Sequence, residues 1–404
     1  MVSRISCSAL LLCLACWTGA AQAADPPVVR SEAQLQALLA SGQPTPLDAF
    51  TPYGKRSFLR SLTWGSRGLG GFGTREMLRE LDPAQIDAVA AFIDSLDYSP
   101  ARGRDLSSPP LRLPEPSPQI EKRYVQLEAF RAQDRELRRN ASSPTTSADA
   151  SALERRYLAL FGEHMSRASL RKLSVGDLPL LFDAATLVGD DGRIPVAAQH
   201  QMLVYREMQR RGLDTRRGFD ETMLEGLLSA REFARAKAFA LARPHLDTGT
   251  IPLVHDPLGP GFRGRSVYRY DATTQTLTRE ALPHPAGVEL VMVVDAGCHF
   301  SADALAALNK DADLRARMLR ANLTLVTPPR SPIAYRFVQK WNAANPSVPM
   351  RIPYDVREWQ AIDVVGVPEF YLLKNGKVVD KLRSGWPAEG NKAALLAMIE
   401  AARN

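Results

Sequence analysis

Between Val288 and Lys374 the chain lays out an apolar strand, a cysteine where a helix begins and, some seventy residues after that cysteine, a Gly-Val-Pro turn that opens a second apolar strand. Val288-Glu-Leu-Val-Met-Val-Val294 is rich in β-branched residues and is bounded by the turn-like Asp295-Ala296-Gly297. After Ser301, Leu305, Leu308 and Leu314 recur at helical spacing. Cys298 therefore falls where a strand hands over to a helix, facing unpaired backbone N–H groups and the positive end of the helix dipole, which together favour a thiolate. Downstream, Asn375-Gly376 between two apolar runs is a hairpin signal. A chain with this order of elements is constrained to a mixed α/β sheet.

On these residues the segment 286–404 resembles the thioredoxin family. Ile362-Asp-Val-Val-Gly366-Val367-Pro368-Glu-Phe-Tyr-Leu-Leu-Lys374-Asn375-Gly376-Lys-Val-Val is similar to the cis-proline loop of that family with its following hairpin. Leu323 to Thr327, Ile333 to Asn342 and Ala388 to Ala402 supply the remaining strand and helices. The resemblance implies that Pro368 is cis and packs against the active-site cysteine, and that Val367 offers its backbone to an extended substrate chain. The departures are equally specific. The family's C-x-x-C is here Cys298-His299-Phe300-Ser301, so the resolving cysteine is a serine and a mixed disulfide at Cys298 would wait for an outside thiol. Gly297 replaces the usual tryptophan, and Met292 stands where the family keeps a buried acid. Cys-His-Phe-Ser is also one residue from the Cys-Gly-Phe-Ser of monothiol glutaredoxin-like proteins, a likeness that expected export argues against. The expected roles are Cys298 as nucleophile, His299 as a cation favouring the thiolate and Ser301 as a hydrogen-bond donor to it. The plain alternative is a small apolar cysteine left in a fold reused as a scaffold.

Residues 1–23 are expected to be a cleaved signal peptide: Arg4 without acids, an apolar run over 8–17, and a small-x-small Ala21-Gln22-Ala23. A lipoprotein anchor at Cys16 is disfavoured because Cys13 stands where a leucine is wanted. Cleavage would remove Cys7, Cys13 and Cys16, leaving Cys298 as the single cysteine, unable to form an intramolecular disulfide. A bacterial periplasm is the expected compartment. No later stretch has the roughly 18 apolar residues that span a bilayer. The formal net charge of +7 would fall to +6 with the loss of Arg4. Lys122, Arg123, Arg131, Arg135, Arg138 and Arg139 alternate with Glu121, Glu128, Asp134 and Glu136, the pattern of a solvated helix face rather than a nucleic-acid or membrane surface.

The expected fold class is a mainly helical N-terminal half followed by a C-terminal thioredoxin-like α/β domain, with helical domains at 24–98 and 120–250 and a β-hairpin connector at 251–285. Ser31 and Asp82-Pro83 are helix starts, Gly42 is a stop, and Ile86, Val89, Ala90, Ile93 and Leu96 form an apolar stripe. Gly68-Leu-Gly70-Gly-Phe-Gly73 matches G-x-G-x-x-G, but a helix precedes it, so a tight helix-to-helix loop is expected instead of a nucleotide site. Six prolines between 99 and 119 read as a stiff, protease-sensitive linker. Further helices are expected at 120–139, 152–172, 196–211, 220–229 and 231–243, and Phe233, Ala236, Ala240 and Pro244 suggest at most one isolated tetratricopeptide-like unit. Ser266 to Tyr270 and Gln275 to Arg279 read as the hairpin. The histidines are isolated, Asp190-Asp191-Gly192 lacks the rest of a calcium loop, and no G-x-S-x-G is present, so neither metal nor cofactor is expected. Two functions are carried forward: a thiol-dependent activity on protein or small-thiol disulfides, and a non-catalytic module that binds another envelope protein.

Overall fold

The computed structural model describes residues 28–65, 68–102, 104–140, 148–189, 195–246, 251–296, 298–329, 334–383, 386 and 390–402. The expected signal peptide, Gly297 and the Asp190-Asp191-Gly192 turn lie outside them.

The N-terminal part holds helices α1 (Glu32–Ser41), α2 (Pro52–Ser61), α3 (Arg75–Glu80) and α4 (Pro83–Phe92) around Phe58, Met77, Ile86, Val89 and Phe92. Ser31 caps α1 by accepting from the Gln34 amide, and Gly42 ends it at φ 67°, a backbone that a residue without Cβ adopts freely. Asp82 and Gln85 form a reciprocal capping box on α4. The glycine-rich stretch differs from the loop expected of it: Thr63–Gly65 (β1) and Gly68–Gly71 (β2) pair as an antiparallel hairpin. The prolines of 99–117 prevent regular structure, but the segment is anchored rather than free. The Leu111 amide donates to the Arg79 carbonyl at 2.8 Å, the Ser117 amide and hydroxyl both donate to Asp177, and Glu115 pairs with Arg56.

The helices α5 (Pro118–Asn140), α6 (Ala148–Phe161), α7 (Arg167–Leu170), α8 (Asp177–Gly189), α9 (Pro195–Arg210), α10 (Phe219–Ser229) and α11 (Phe233–Leu241) pack around Tyr124, Tyr157, Phe182, Tyr205 and Phe219. α8 is the central element. Nearly every residue of Asp-Leu-Pro-Leu-Leu-Phe-Asp-Ala-Ala-Thr-Leu-Val-Gly is buried, so it has no solvated face. The turn between α10 and α11 fastens the helices to the sheet. There Arg231, at φ 61°, donates to the carbonyls of Pro353 and Tyr354, and Phe233 meets Tyr268 edge-on at 5.7 Å.

The C-terminal part contains β3 (Leu253–His255), β4 (Ser266–Asp271), β5 (Thr276–Ala281), β6 (Val288–Val293), α12 (His299–Lys310), α13 (Ala312–Arg320), β7 (Thr324–Val326), α14 (Tyr335–Ala344), β8 (Met350–Pro353), β9 (Glu369–Lys374), β10 (Lys377–Arg383) and α15 (Asn391–Ala401). The strands form one sheet in the order β10-β9-β6-β7-β8-β4-β5-β3. β6, β7 and β8 run parallel, β9 pairs antiparallel to β6, and β10 turns back on β9 through Asn375-Gly376, both residues at positive φ. The β4–β5 hairpin joins this same sheet by pairing β4 with β8. One face packs Leu290, Met292, Phe370 and Leu372 against Leu305, Leu308, Leu314 and Leu395. The other packs Val291, Val293, Tyr371 and Leu373 on Trp359 and Ile362. A central β6 leading into a helix, a parallel neighbour β7, and an antiparallel β9–β10 pair after a proline loop together make the fold thioredoxin-like.

Candidate functional site

The site is assembled where β6 ends and the loop 360–368 enters β9. Cys298 is the N-cap of α12 with extended backbone (φ −104°, ψ 117°), and its carbonyl accepts the first helical hydrogen bond from Ala302 at 3.1 Å. The side chain is half-buried and its Sγ donates to the Val367 carbonyl at 3.3 Å. The Val367–Pro368 peptide is cis. The structure thus brings Cys298, Val367 and Pro368 together across sixty-nine residues of sequence.

The other two expected site residues follow Cys298 in the first turn of α12. His299 is exposed and its ring lies 3.8 Å, centroid to centroid, from the ring of the exposed Phe300. Ser301, expected to donate to the thiolate, is fully buried and its Oγ accepts from the Asp295 amide at 3.1 Å. What Ser301 visibly holds is the turn that delivers Cys298 to the helix start, since Asp295 is the first residue of that turn and its carbonyl receives the Cys298 amide at 3.4 Å.

Beneath the proline loop lies a polar cluster that reading the sequence missed. Glu369, buried at 2% exposure, accepts from the amides of Val365 at 3.2 Å and Gly366 at 2.9 Å. The Tyr371 hydroxyl bridges to the other Glu369 oxygen and to the Asp363 carbonyl, the latter at 2.7 Å. Arg383 closes the cluster from β10, donating to the Asp363 carbonyl at 2.8 Å and lying 3.8 Å from Glu369. Burial pushes the Glu369 carboxyl above its ordinary value, and burial together with the neighbouring Glu369 pushes the Tyr371 phenol well above its own. The available signal was one acid, Glu369, set in the otherwise apolar run from Val367 to Leu373.

Two buried arginines brace the sheet through ion pairs. Arg265 meets Glu289 at 2.7 Å, and Arg279 reaches Glu358 at 2.7 Å and Asp256 at 3.0 Å. A cavity of about 360 Å³ opens among the helices, lined by Arg75, Arg79, Arg104, Asp183 and Glu221 among others, with none of the Cys298 loop. On its wall Arg79 pairs with Asp183 and Arg104 with Glu221. Among the described residues no group of three or more His, Cys, Asp or Glu is placed to hold a metal ion, and no helix is long and apolar enough to cross a membrane.

No family model matches the chain, and no curated protein matches it. Structural neighbours include the reduced N-terminal domain of PilB from N. meningitidis, 21% identical, covering 29% of this chain and 82% of that one at a TM-score of 0.23. A thioredoxin-like protein from Porphyromonas gingivalis is 14% identical over 35% of this chain and 90% of its own, with a TM-score of 0.26. A third, a thioredoxin-like protein from Bacteroides caccae, is 15% identical over 64% and 94% of the two chains, with a TM-score of 0.24. At these values the assignment of a thioredoxin-like fold rests on the strand order and connectivity of 288–401 themselves.

Proposed function

We propose that this chain is an exported, periplasmic thioredoxin-like protein that acts on protein or small-thiol disulfides through the single cysteine Cys298. The observation that carries the reading is the position of Cys298. Its half-buried sulfur sits at the start of α12 and within 3.3 Å of the Val367 carbonyl on the cis-proline loop. The thiolate of Cys298 is the form that attacks a disulfide. Attack on a disulfide R–S–S–R′ forms the Cys298–S–S–R bond and releases R′–S⁻. With Ser301 in place of a second cysteine, the mixed disulfide is resolved by a thiol from solution or from the substrate, which returns Cys298 to its thiolate. Val367 and Pro368 line the path of an extended substrate, and His299 with Phe300 forms its exposed rim.

The test uses full-length protein matured by its host. Wild type is expected to reduce insulin weakly in the presence of dithiothreitol, and Ser301→Cys to gain that activity, because the buried position one helical turn from Cys298 then supplies a resolving thiol. Cys298→Ala should remain folded and lose all disulfide exchange. Wild type that exchanges no faster than Cys298→Ala would leave the other reading, a non-catalytic module that presents this fold and its helical surfaces to an envelope protein.

A further inference from the structure

The acid in the cluster beneath the proline loop has a geometry that reaches the reactive sulfur in three short steps. The Glu369 carboxylate accepts from the Val365 and Gly366 amides, those amides belong to the segment that ends at Val367, and the Val367 carbonyl receives the hydrogen bond from Cys298 Sγ. A loop whose amides pointed outward would satisfy them with water and leave the Val367 carbonyl free to rotate. Here they are turned inward onto a group held from behind, since Tyr371 bonds both Glu369 and the Asp363 carbonyl, and Arg383 reaches both ends of the same loop. Burying a carboxyl this deeply is costly unless its oxygens are used, and both oxygens of Glu369 are used on the loop or on Tyr371.

We propose that Glu369 is the positioning residue of the substrate-docking loop, fixing the Val367 carbonyl and the loop's outward face opposite Cys298 so that a disulfide-bearing chain finds a preformed edge. The proposal rests on the thiol-exchange reading of the same site, but it makes a separate claim about the loop. Preorganised docking acts on how well substrate is held, so the loss of Glu369 should raise KM for a disulfide-bonded peptide rather than slow a small reagent that needs only the sulfur.

The test compares wild type, Glu369→Ala and Glu369→Gln in the full chain. Glu369→Ala is expected to raise KM for exchange with a disulfide-bonded peptide about tenfold, the order expected for losing hydrogen bonds to a charged or buried acceptor. Alkylation of Cys298 by iodoacetamide should stay within about twofold, because the helix start is untouched. Glu369→Gln, which keeps one acceptor oxygen, should recover most of the loss. Equal falls in alkylation and exchange, a kcat loss at unchanged KM, or a Gln variant no better than Ala would each overturn the proposal. Hydrogen exchange at the Val365 and Gly366 amides gives a second readout. Their protection is expected in wild type and should be reduced in Tyr371→Phe, which removes one bond to the same carboxyl while keeping the ring, and equal protection in the two proteins would also overturn it. If wild type exchanges with no disulfide, the functional reading falls alone, and amide protection that drops in Glu369→Ala sustains the positioning role while unchanged protection refutes it.

Discussion

Replacing Asp183 with leucine should separate the N-terminal helices from the helical core more effectively than any cavity-forming change of similar size. Asp183 on α8 receives a bidentate pair from Arg79 on α3 at 2.8 and 2.7 Å, and a third contact from Arg75 at 3.0 Å. Both members of the bidentate pair are almost fully buried, at 6% and 4% side-chain exposure, and the Arg79 guanidinium also stacks on Phe219 at 3.8 Å. Removing the carboxylate strands Arg79 in the interior, and breaking one side of such a pair typically costs about 3–5 kcal/mol. With a urea slope near the upper end of the usual range, this corresponds to a midpoint lower by about 1–2 M. Chemical denaturation followed by circular dichroism is the assay. Adding Arg79→Met to Asp183→Leu should recover part of the loss, because the stranded charge is then gone. An Asp183→Leu midpoint within about 0.2 M urea of wild type, or a double variant weaker than the sum of its parts, would refute the reasoning.

Limited proteolysis is expected to spare 104–119, since Leu111 is buried and Ser117 and Glu115 tie the segment to α8 and α2; rapid cleavage there would restore the free linker that its prolines suggest. The pH dependence of stability carries a defined sign at Glu80, whose carboxyl burial pushes above its ordinary 4.5. Its contribution is fully present below 4.5 and is lost as pH rises through the raised folded value, so Glu80→Gln should gain on wild type as pH increases above 4.5, and a difference that shrinks would contradict it. Asp183 runs the other way. Burial pushes it up, but Arg75 and Arg79 outweigh burial and hold it below 3.8, so its contribution is present above that value and lost on acidification through its folded pKa. The stability difference between wild type and Asp183→Asn should therefore narrow below pH 3.8.

The elements with a distinct local signature were legible in the sequence. The β-branched run of β6, the Leu305/Leu308 spacing of α12 and the Asn375-Gly376 turn each carry their own physics, and each lies where that physics puts it. α8 escaped because a helix buried on nearly every side has no polar face to set a period. β3 and β8 are three and four residues long, too short for alternation to show, and their pairing depends on partners far away in sequence. The helix ahead of the glycines of 68–71 suggests a helix-to-helix loop, whereas Thr63–Gly65, between that helix and the glycines, pairs with them as a short antiparallel ladder. At the site, the Cys298–Val367 contact followed from the resemblance, while Ser301 needed the fold to show that its hydroxyl serves the Asp295 amide. The Glu369–Tyr371–Arg383 cluster depended on β9–β10 register, which places Glu369 opposite Arg383.

The most direct test of the thiol reading is intact-mass analysis of the purified protein after brief incubation with a disulfide-bonded peptide and an acid quench. A single adduct of one peptide half, mapped by digestion to Cys298, removed by dithiothreitol and absent from Cys298→Ala, is the result expected of a nucleophile at the start of α12 beside the Val367 carbonyl. A folded wild-type protein that carries no adduct under conditions in which glutathione itself exchanges completely would contradict it.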